Sequence, residues 1–277
     1  MKQSKQGLWP PLVFIAGLCA AAIFWWNVSR PIPLLAPAMP AQEMPSAPAA
    51  LTAQPSAPAE VPSMDLPITA QPLAASQISA ALIDFLGRRA VLRFIQVEDF
   101  PRKFVATVDN LGRSYAPPMI WPIHPTAGRF KVTQGRDGSV ISDLNSLRYT
   151  PLVLLAEQMD IAQTVELYVQ MYPLLQKSYE ELGFPGRKFN DRLLQVIDQL
   201  LQTPPPGHTV DVQLVEVKGA VPSLRPWVRF EFVDPALESM SAGQKILLRI
   251  GPDNHNRIKA WLFALRTEIL RHGQAHQ

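Results

Sequence analysis

The sequence predicts an α+β protein in which a helix-dominated soluble domain with a few short antiparallel strands follows one transmembrane helix and a disordered Pro/Ala-rich linker. Charge is distributed unevenly: of the 26 basic and 23 acidic side chains in the chain, residues 1–75 hold only six in total. Apolar residues recur at helical spacing through most of residues 76–277. Around residues 210–232 the period changes to the alternation that is typical of half-buried strands. These observations divide the chain into residues 1–30, 31–75 and 76–277.

The N-terminal anchor is indicated by a run without charge over residues 6–29, whose apolar core is residues 8–26. A helix of that core rises roughly 28 Å, close to the hydrocarbon thickness of a bilayer. Tryptophans lie near both ends of the core, at the depths where interfacial aromatic residues are enriched. We therefore assign residues 1–30 to a short N-terminus and a transmembrane signal-anchor helix.

The orientation of the anchor follows from the charges on either side of it. Lys2, Lys5 and the terminal amine precede the core, and only Arg30 follows it closely. The positive-inside rule then places the N-terminus in the cytoplasm and the remaining chain in the periplasm, as in a single-pass inner-membrane protein. Two alternatives stay open: cleavage as a signal peptide, and lipidation of Cys19, which follows a leucine where a lipidation site needs a small residue.

The linker, residues 31–75, contains 11 prolines, many alanines and no aromatic residue. Such a segment cannot bury enough apolar surface to offset its ordering entropy. Dense proline favours extended polyproline II, so 45 residues could reach on the order of 100 Å. A passive spacer is the simpler interpretation, and a docking segment for a proline-binding module is the alternative.

Helices in the folded part are predicted from apolar spacing and from start and stop residues. The first two are expected from Ile78, with Ser76 as cap, and over residues 102–111. Later starts are predicted at Pro151, Asp160, Asn190, Ser241 and Pro252. For three of them the signals are, in order, a proline in the first turn, the Asp160/Gln163 spacing and a capping asparagine. Gly183 should end the helix that begins at Asp160.

Strands are predicted in two places. Residues 129–133 and 139–141 flank a Gly-containing turn and indicate a β-hairpin. Residues 210–214 and 228–232 each alternate apolar with polar side chains and indicate two half-buried strands. Residues 116–125 are interrupted by prolines and should lack regular structure.

Several long strings resemble one bacterial family. They are YPLLQKSYEELGFPGRKFNDRLLQVIDQLLQT at 172–203, FVATVDNL at 104–111, PTAGRF at 125–130 and FEFVDPALESMSAGQKILLRIGP at 230–252. These strings are similar to the domain of unknown function 3014 family, and the resemblance covers nearly all of residues 80–270. It implies a layout of one membrane segment, a low-complexity linker and this domain in a Gram-negative envelope. The family has no established activity, so the resemblance transfers no catalytic residues.

Two clusters are candidates for an interaction surface. They are Asn190, Asp191 and Arg192 at a helix start, and Arg225, Trp227 and Arg229 on a strand. Asn190 and Asp191 are also the residue types that cap a helix and suit its positive end. The second cluster is cationic and aromatic, which suits contact with a protein or a glycan. The alternative is an exposed strand whose tryptophan packs on a neighbouring helix.

Metal and cofactor sites are not expected from the sequence. Cys19 is the single cysteine and lies in the anchor, which leaves the folded part without thiolate ligands. His272 and His276 have the i,i+4 spacing of a helical metal pair, but they lie at a chain end, where frayed structure is usual. Asp137 is one carboxylate in a turn, too few for calcium. The net charge of +3 does not indicate a nucleic-acid partner.

The sequence therefore favours a non-enzymatic interaction or scaffold module whose tethered periplasmic domain engages an envelope protein or the cell wall. One alternative is a hydrolase or lyase acting on envelope glycan through Asp191, Asp234 or Glu238. A pocket that joined two of those carboxylates would favour this enzyme. Another alternative is an assembly factor for a secretion or division machine.

Overall fold

The structure, a computed structural model, describes residues 71–136, 138–215 and 226–274. The predicted anchor, nearly all of the linker, Asp137, Arg225 and His276 lie outside these ranges. Within them, no helix is both long enough and apolar enough to cross a membrane.

Helices dominate the described part of the chain. In chain order they are α1 (Ile78–Leu86), α2 (Arg88–Phe94), α3 (Phe100–Leu111), α4 (Ser146–Gln158), α5 (Ile161–Glu181), α6 (Phe189–Leu201), α7 (Pro235–Glu238), α8 (Ala242–Arg249) and α9 (Pro252–Gln274). Short 3-10 turns occur at Ala75–Gln77, Pro118–Ile120, Asp143–Asn145 and Pro226–Val228.

The main core lies between the helices. Helix α3 packs on α5 and α6, and α9 packs on α4, α5 and α6. On α5 the buried residues include Val165, Tyr168 and Val169, whose spacing places them on one helical face. Val105, Leu175 and Phe189 are fully inaccessible to solvent and join three helices in this core. The expected apolar periodicity thus produces the helical layer.

A small sheet forms the second part of the fold. Its strands are β1 (Val132–Gln134), β2 (Ser139–Ile141), β3 (Asp211–Leu214) and β4 (Phe230–Phe232), paired antiparallel in the order β1-β2-β3-β4. Its buried face holds Val212 and Phe232, which pack against Leu248 of α8. The α+β class, the hairpin and both later strands are confirmed, although β4 begins at Phe230 because Pro226–Val228 forms a 3-10 turn.

Two predicted helix caps, Ser76 and Asn190, and one predicted first residue, Pro151, are wrong, whereas the start of α1 at Ile78 is confirmed. Ser76 lies in a 3-10 turn, and α1 begins after Gln77 without a side-chain cap. Pro151 lies inside α4, which begins one turn earlier at Ser146 after a 3-10 turn that Ser142 caps. Asn190 is the second residue of α6 and is buried, so its side chain bonds across the core instead of capping the helix.

Other helix signals are confirmed. The Gln163 N–H donates to Asp160 Oδ1 over 2.9 Å at the start of α5. Ser241 and Gln244 form a reciprocal capping box at α8. Gly183 follows the end of α5 with φ +107°, a left-handed conformation that glycine adopts without a steric penalty.

Candidate functional site

An apolar groove of about 590 Å³ lies between the helical layer and the sheet. Its walls come from α4, from α8 and α9, from the loop between α3 and β1, and from β4 with the 3-10 turn before it. Five aromatic residues line it: Trp121, Phe130, Tyr149, Trp227 and Phe230. The basic lining residues are His124, Arg148 and Arg249, and the lining contains no Asp or Glu side chain.

The proline-interrupted loop is held in place by backbone pairing with the end of α2. Ile123 forms an isolated antiparallel bridge with Ile95. The His124 N–H donates to the Phe94 carbonyl oxygen over 2.8 Å, and the Gln96 N–H donates to the Pro122 carbonyl oxygen over 2.8 Å. The sequence prediction of an irregular stretch is thus correct except for one 3-10 turn and this bridge. The pairing sets Trp121 and His124 at the groove.

Arg148 fixes the next part of the same loop. Its Nε donates to the Ala127 carbonyl oxygen over 2.9 Å, and its Nη2 donates to the Gly128 carbonyl oxygen over 3.1 Å. Gly128 has φ +82°, which glycine adopts readily and other residues rarely do. The guanidinium also donates to the side-chain oxygens of Asn145 and Thr126. All four of these acceptors are neutral, so they satisfy hydrogen bonds of the guanidinium without neutralising its positive charge.

Arg249 is the second guanidinium at the groove, and it is half-buried. Its Nη2 donates to the Phe230 carbonyl oxygen over 3.0 Å, and its Cζ lies 4.6 Å from the centre of the Phe232 ring. Burial lowers the pKa of Arg249, while the negative charge of Glu238 acts in the opposite direction. In the part of the chain that the structure describes, no carboxylate forms an ion pair with it.

Glu238 is bonded to other partners. Its Oε2 accepts from the Phe232 N–H over 2.9 Å, and its Oε1 accepts from Lys245 Nζ over 2.8 Å. Burial raises the pKa of Glu238, but the hydrogen bonds from Lys245 and Phe232 outweigh this effect and the net pKa is lowered. Together Glu238 and Arg249 occupy backbone groups on the outer edge of β4, which protects that edge from pairing with another strand.

The first predicted site cluster lies at a helix interface away from the groove. Asn190 is inaccessible to solvent, and its Oδ1 accepts from Tyr168 Oη over 3.2 Å. Arg192 Nε forms an ion pair with Asp109 Oδ1 over 2.9 Å and so joins α6 to α3. Asp191 is half-buried, and its charge contributes to the raised pKa of Tyr168, whose main cause is burial. None of the three predicted residues lines the groove.

The second predicted cluster is divided. Trp227 lines the groove, and the Cζ of Arg129 lies 3.9 Å from its ring centre. Arg229 does not line the groove, and its Nε and Nη1 are buried without an acceptor among the described residues. Arg225 lies outside those residues. Of the five predicted residues that the structure describes, Trp227 alone lines the groove, and whether any of the six binds a partner stays a prediction.

The carboxylates that the enzyme alternative requires do not meet in the groove. Asp234 accepts from the Ala236 N–H over 2.8 Å as the cap of α7, and Glu238 is bonded to Lys245. Asp191 lies on α6. No group of three His, Cys, Asp or Glu side chains that could hold a metal ion occurs in the described ranges.

Residues that sequence reasoning missed form most of the groove. Tyr149 and Leu152 of α4 and Ile246 of α8 have the spacing of ordinary core residues, so nothing local distinguishes them. One signal was available in the proline-interrupted stretch, where Trp121 and His124 lie between prolines and cannot be explained by a regular element.

A family model described as "Protein of unknown function (DUF3014)" matches residues 100–266. The chain belongs to the DUF3014 family. The matched region begins at the first residue of α3 and ends within α9, and it contains every residue that lines the groove. No curated protein and no solved structure is significantly similar to the chain. The groove is therefore a feature of the part of the chain that the DUF3014 model describes.

Proposed function

We propose that this DUF3014 chain is a single-pass inner-membrane protein whose tethered periplasmic domain is a non-enzymatic binding module of the cell envelope. The groove is its binding surface, and the Pro/Ala-rich linker lets the domain reach its ligand away from the membrane. This proposal joins the topology expected from the sequence to a concave apolar surface of suitable size among the described residues.

The observation that supports the proposal is the composition of the groove. Small-molecule and partner sites are concave, mostly apolar and lined by aromatic side chains with a few polar groups that fix orientation. The groove combines five aromatic side chains with Arg148, Arg249 and His124 and has a volume within the usual range of about 300–1,000 Å³. A chain that only spaced two partners would need no such surface.

A hydrolase or lyase is the less favoured function. General acid–base chemistry on glycans uses a pair of carboxyl groups that face one substrate. In this fold Asp191, Asp234 and Glu238 do not line the groove, and the last two already serve as a helix cap and an ion-pair partner.

Photocrosslinking in cells tests the proposal. A photoreactive amino acid replaces Val228, which lines the groove and is 67% exposed, or Leu92 of α2, which is 71% exposed and lies elsewhere. We expect the Val228 position to capture an envelope component, whether protein, glycan or lipid, that the Leu92 position does not capture. Identical adducts from the two positions, or none from Val228, would show that the groove is not the binding surface.

A further inference from the structure

We propose that the groove binds a fatty-acid-type ligand, a single apolar chain with one terminal carboxylate. The inference deepens the proposed function, on which it rests, by naming the chemical class that the groove recognises. It is supported by the apolar lining of the groove, by the lack of an ion-pair partner for Arg249 among the described residues, and by the protected edge of β4.

The apolar part of the ligand is indicated by the walls. Between the aromatic side chains, aliphatic residues such as Leu152, Ile246 and Ile258 complete the lining. Polar wall atoms are few, so a ligand with a polar group at every residue would leave many of those groups without partners. A hydrocarbon chain gains from burial there and requires no hydrogen bonds. The volume of about 590 Å³ suits a single chain better than a two-chain phospholipid.

The anionic head is indicated by Arg249. Arg249 lines the groove and is half-buried, and its guanidinium donates a hydrogen bond to the Phe230 carbonyl oxygen, a neutral acceptor. The nearby carboxylate of Glu238 is already paired with Lys245. A half-buried cation without an ion-pair partner among the described residues gains from a bound anion, and a planar carboxylate matches the guanidinium fork. Arg148 and His124 lie in the same lining, and the Arg148 guanidinium adds a second positive charge.

A peptide strand is the disfavoured occupant. An extended peptide that joins a sheet needs free backbone groups at its edge. On β4 the Phe232 N–H is bonded to Glu238, and the Phe230 carbonyl oxygen is bonded to Arg249. The same two side chains that protect the edge thus leave the adjoining groove to a ligand that does not add a strand.

The test uses the full chain in phosphatidylcholine nanodiscs. A diazirine-bearing hexadecanoate is photocrosslinked to the protein, the adducts are mapped by peptide mass spectrometry, and competitors with 12-carbon chains are added. We expect adducts on groove residues such as Leu152 and Trp227. Dodecanoate should compete at least about tenfold better than dodecyltrimethylammonium, because a charge-assisted hydrogen bond favours the anion by that order.

Two sets of variants locate the head group. Arg249→Met keeps an apolar stem and should weaken dodecanoate binding about tenfold, whereas Arg89→Met at an exposed position of α2 should leave it unchanged. Val228 is exposed at the groove, so its substitution should not disturb the core. Val228→Asp should weaken dodecanoate binding several-fold, and Val228→Lys should not, because only the first adds a like charge near the anion.

Several outcomes would overturn the inference. Equal competition by dodecyltrimethylammonium and dodecanoate would do so, as would adducts that map outside the groove. So would unchanged dodecanoate binding in both Arg249→Met and Val228→Asp when these variants are folded. Stronger competition by lysophosphatidate or by an apolar acidic peptide than by dodecanoate would also overturn it. If these occur while Val228 still captures a protein or glycan in cells, the ligand class is wrong and the binding module stands. If Val228 captures nothing in cells, the proposed function itself fails.

Discussion

Asp109 is the buried acidic residue that joins two helices of the main core. It is 3% exposed, and its carboxylate pairs with Arg192 over 2.9 Å and with Arg113 over 2.7 Å. Removing one partner of such a pair leaves an uncompensated charge in a low-dielectric site. We expect Asp109→Ala to lower the free energy of unfolding by about 3 kcal/mol, measured by urea denaturation.

Glu181→Ala is the matched control for Asp109. Glu181 pairs with Lys177 over 3.9 Å, and both side chains are mostly exposed. Solvent-exposed pairs of this kind contribute less than about 1 kcal/mol. Equal losses from the two variants would show that the Asp109 network does not stabilise the core as we describe.

His255 is expected to make the stability of the domain depend on pH. It is 1% exposed, and its Nδ1 lies 3.2 Å from the Leu247 carbonyl oxygen. Burial lowers its pKa below 6.5, the charge of Lys259 adds to this, and the Leu247 carbonyl partly opposes it. The unfolded chain then binds more protons than the folded chain, so the stabilisation is present above pH 6.5 and is lost as pH falls through the lowered pKa.

We therefore expect the free energy of unfolding to decrease as the pH is lowered from about 7 to about 5.5, measured by urea denaturation across that range. His255→Gln should flatten this dependence even if it lowers stability at neutral pH. His208→Gln removes an exposed histidine and should preserve the slope. A wild-type slope in His255→Gln would assign the effect to other groups.

At the scale of the element, local sequence predicted helix and strand identity well and helix starts less well. Asp160 and Ser241 cap helices as expected, because a side-chain oxygen next to the first free N–H groups needs only local geometry. Asn190 has the same chemistry, yet tertiary packing buries it against Tyr168. Pro151 is tolerated inside α4, where the preceding 3-10 turn extends the helix upstream. These exceptions depend on contacts that the local pattern does not contain.

The turn from α8 to α9 is expected to depend on close packing at Gly251. Gly251 has φ +89°, and a Cβ there would lie 2.8 Å from Ser146 Cβ at the start of α4. Gly87 has a similar φ of +81°, but a Cβ at that position would meet no other atom within 4 Å. We expect Gly87→Ala to cost about 1–2 kcal/mol from backbone strain alone. Gly251→Ala should cost about 3 kcal/mol or more, because overpacking adds to that strain.

Thermal or urea unfolding of both glycine variants measures the difference. The two substitutions share their left-handed φ and their added methyl group, so the difference reports the contact with Ser146. Equal losses would mean that α4 shifts to accept the methyl group, and that the junction of α4, α8 and α9 beside the groove is more adaptable than the structure indicates.

At the scale of the whole molecule, the groove depends on segments far apart in the chain. The loop that ends at Phe130, the start of α4 and the pair of β4 with α8 are separated by long stretches, and each segment alone resembles core or turn. Periodicity predicts which face of an element is buried but not which elements meet. This explains why Arg249 was identified only in the structure. Trp227 was predicted as a site residue from its local strand pattern and does line the groove.

The topology of the whole chain is open to a direct test, because Cys19 is its single cysteine. In a Cys19→Ala background, Ser114→Cys places a thiol on an exposed turn after α3, and Ser4→Cys places one before the predicted anchor. With the outer membrane permeabilised, a membrane-impermeant maleimide should label Ser114→Cys in intact cells and label Ser4→Cys only after the inner membrane is dissolved. Labelling of both before that step, or of neither, would contradict the single-pass orientation. A Ser4→Cys thiol that is missing from the mature protein would instead identify the N-terminal segment as a cleaved signal peptide. The domain would then reach its ligand without a membrane anchor.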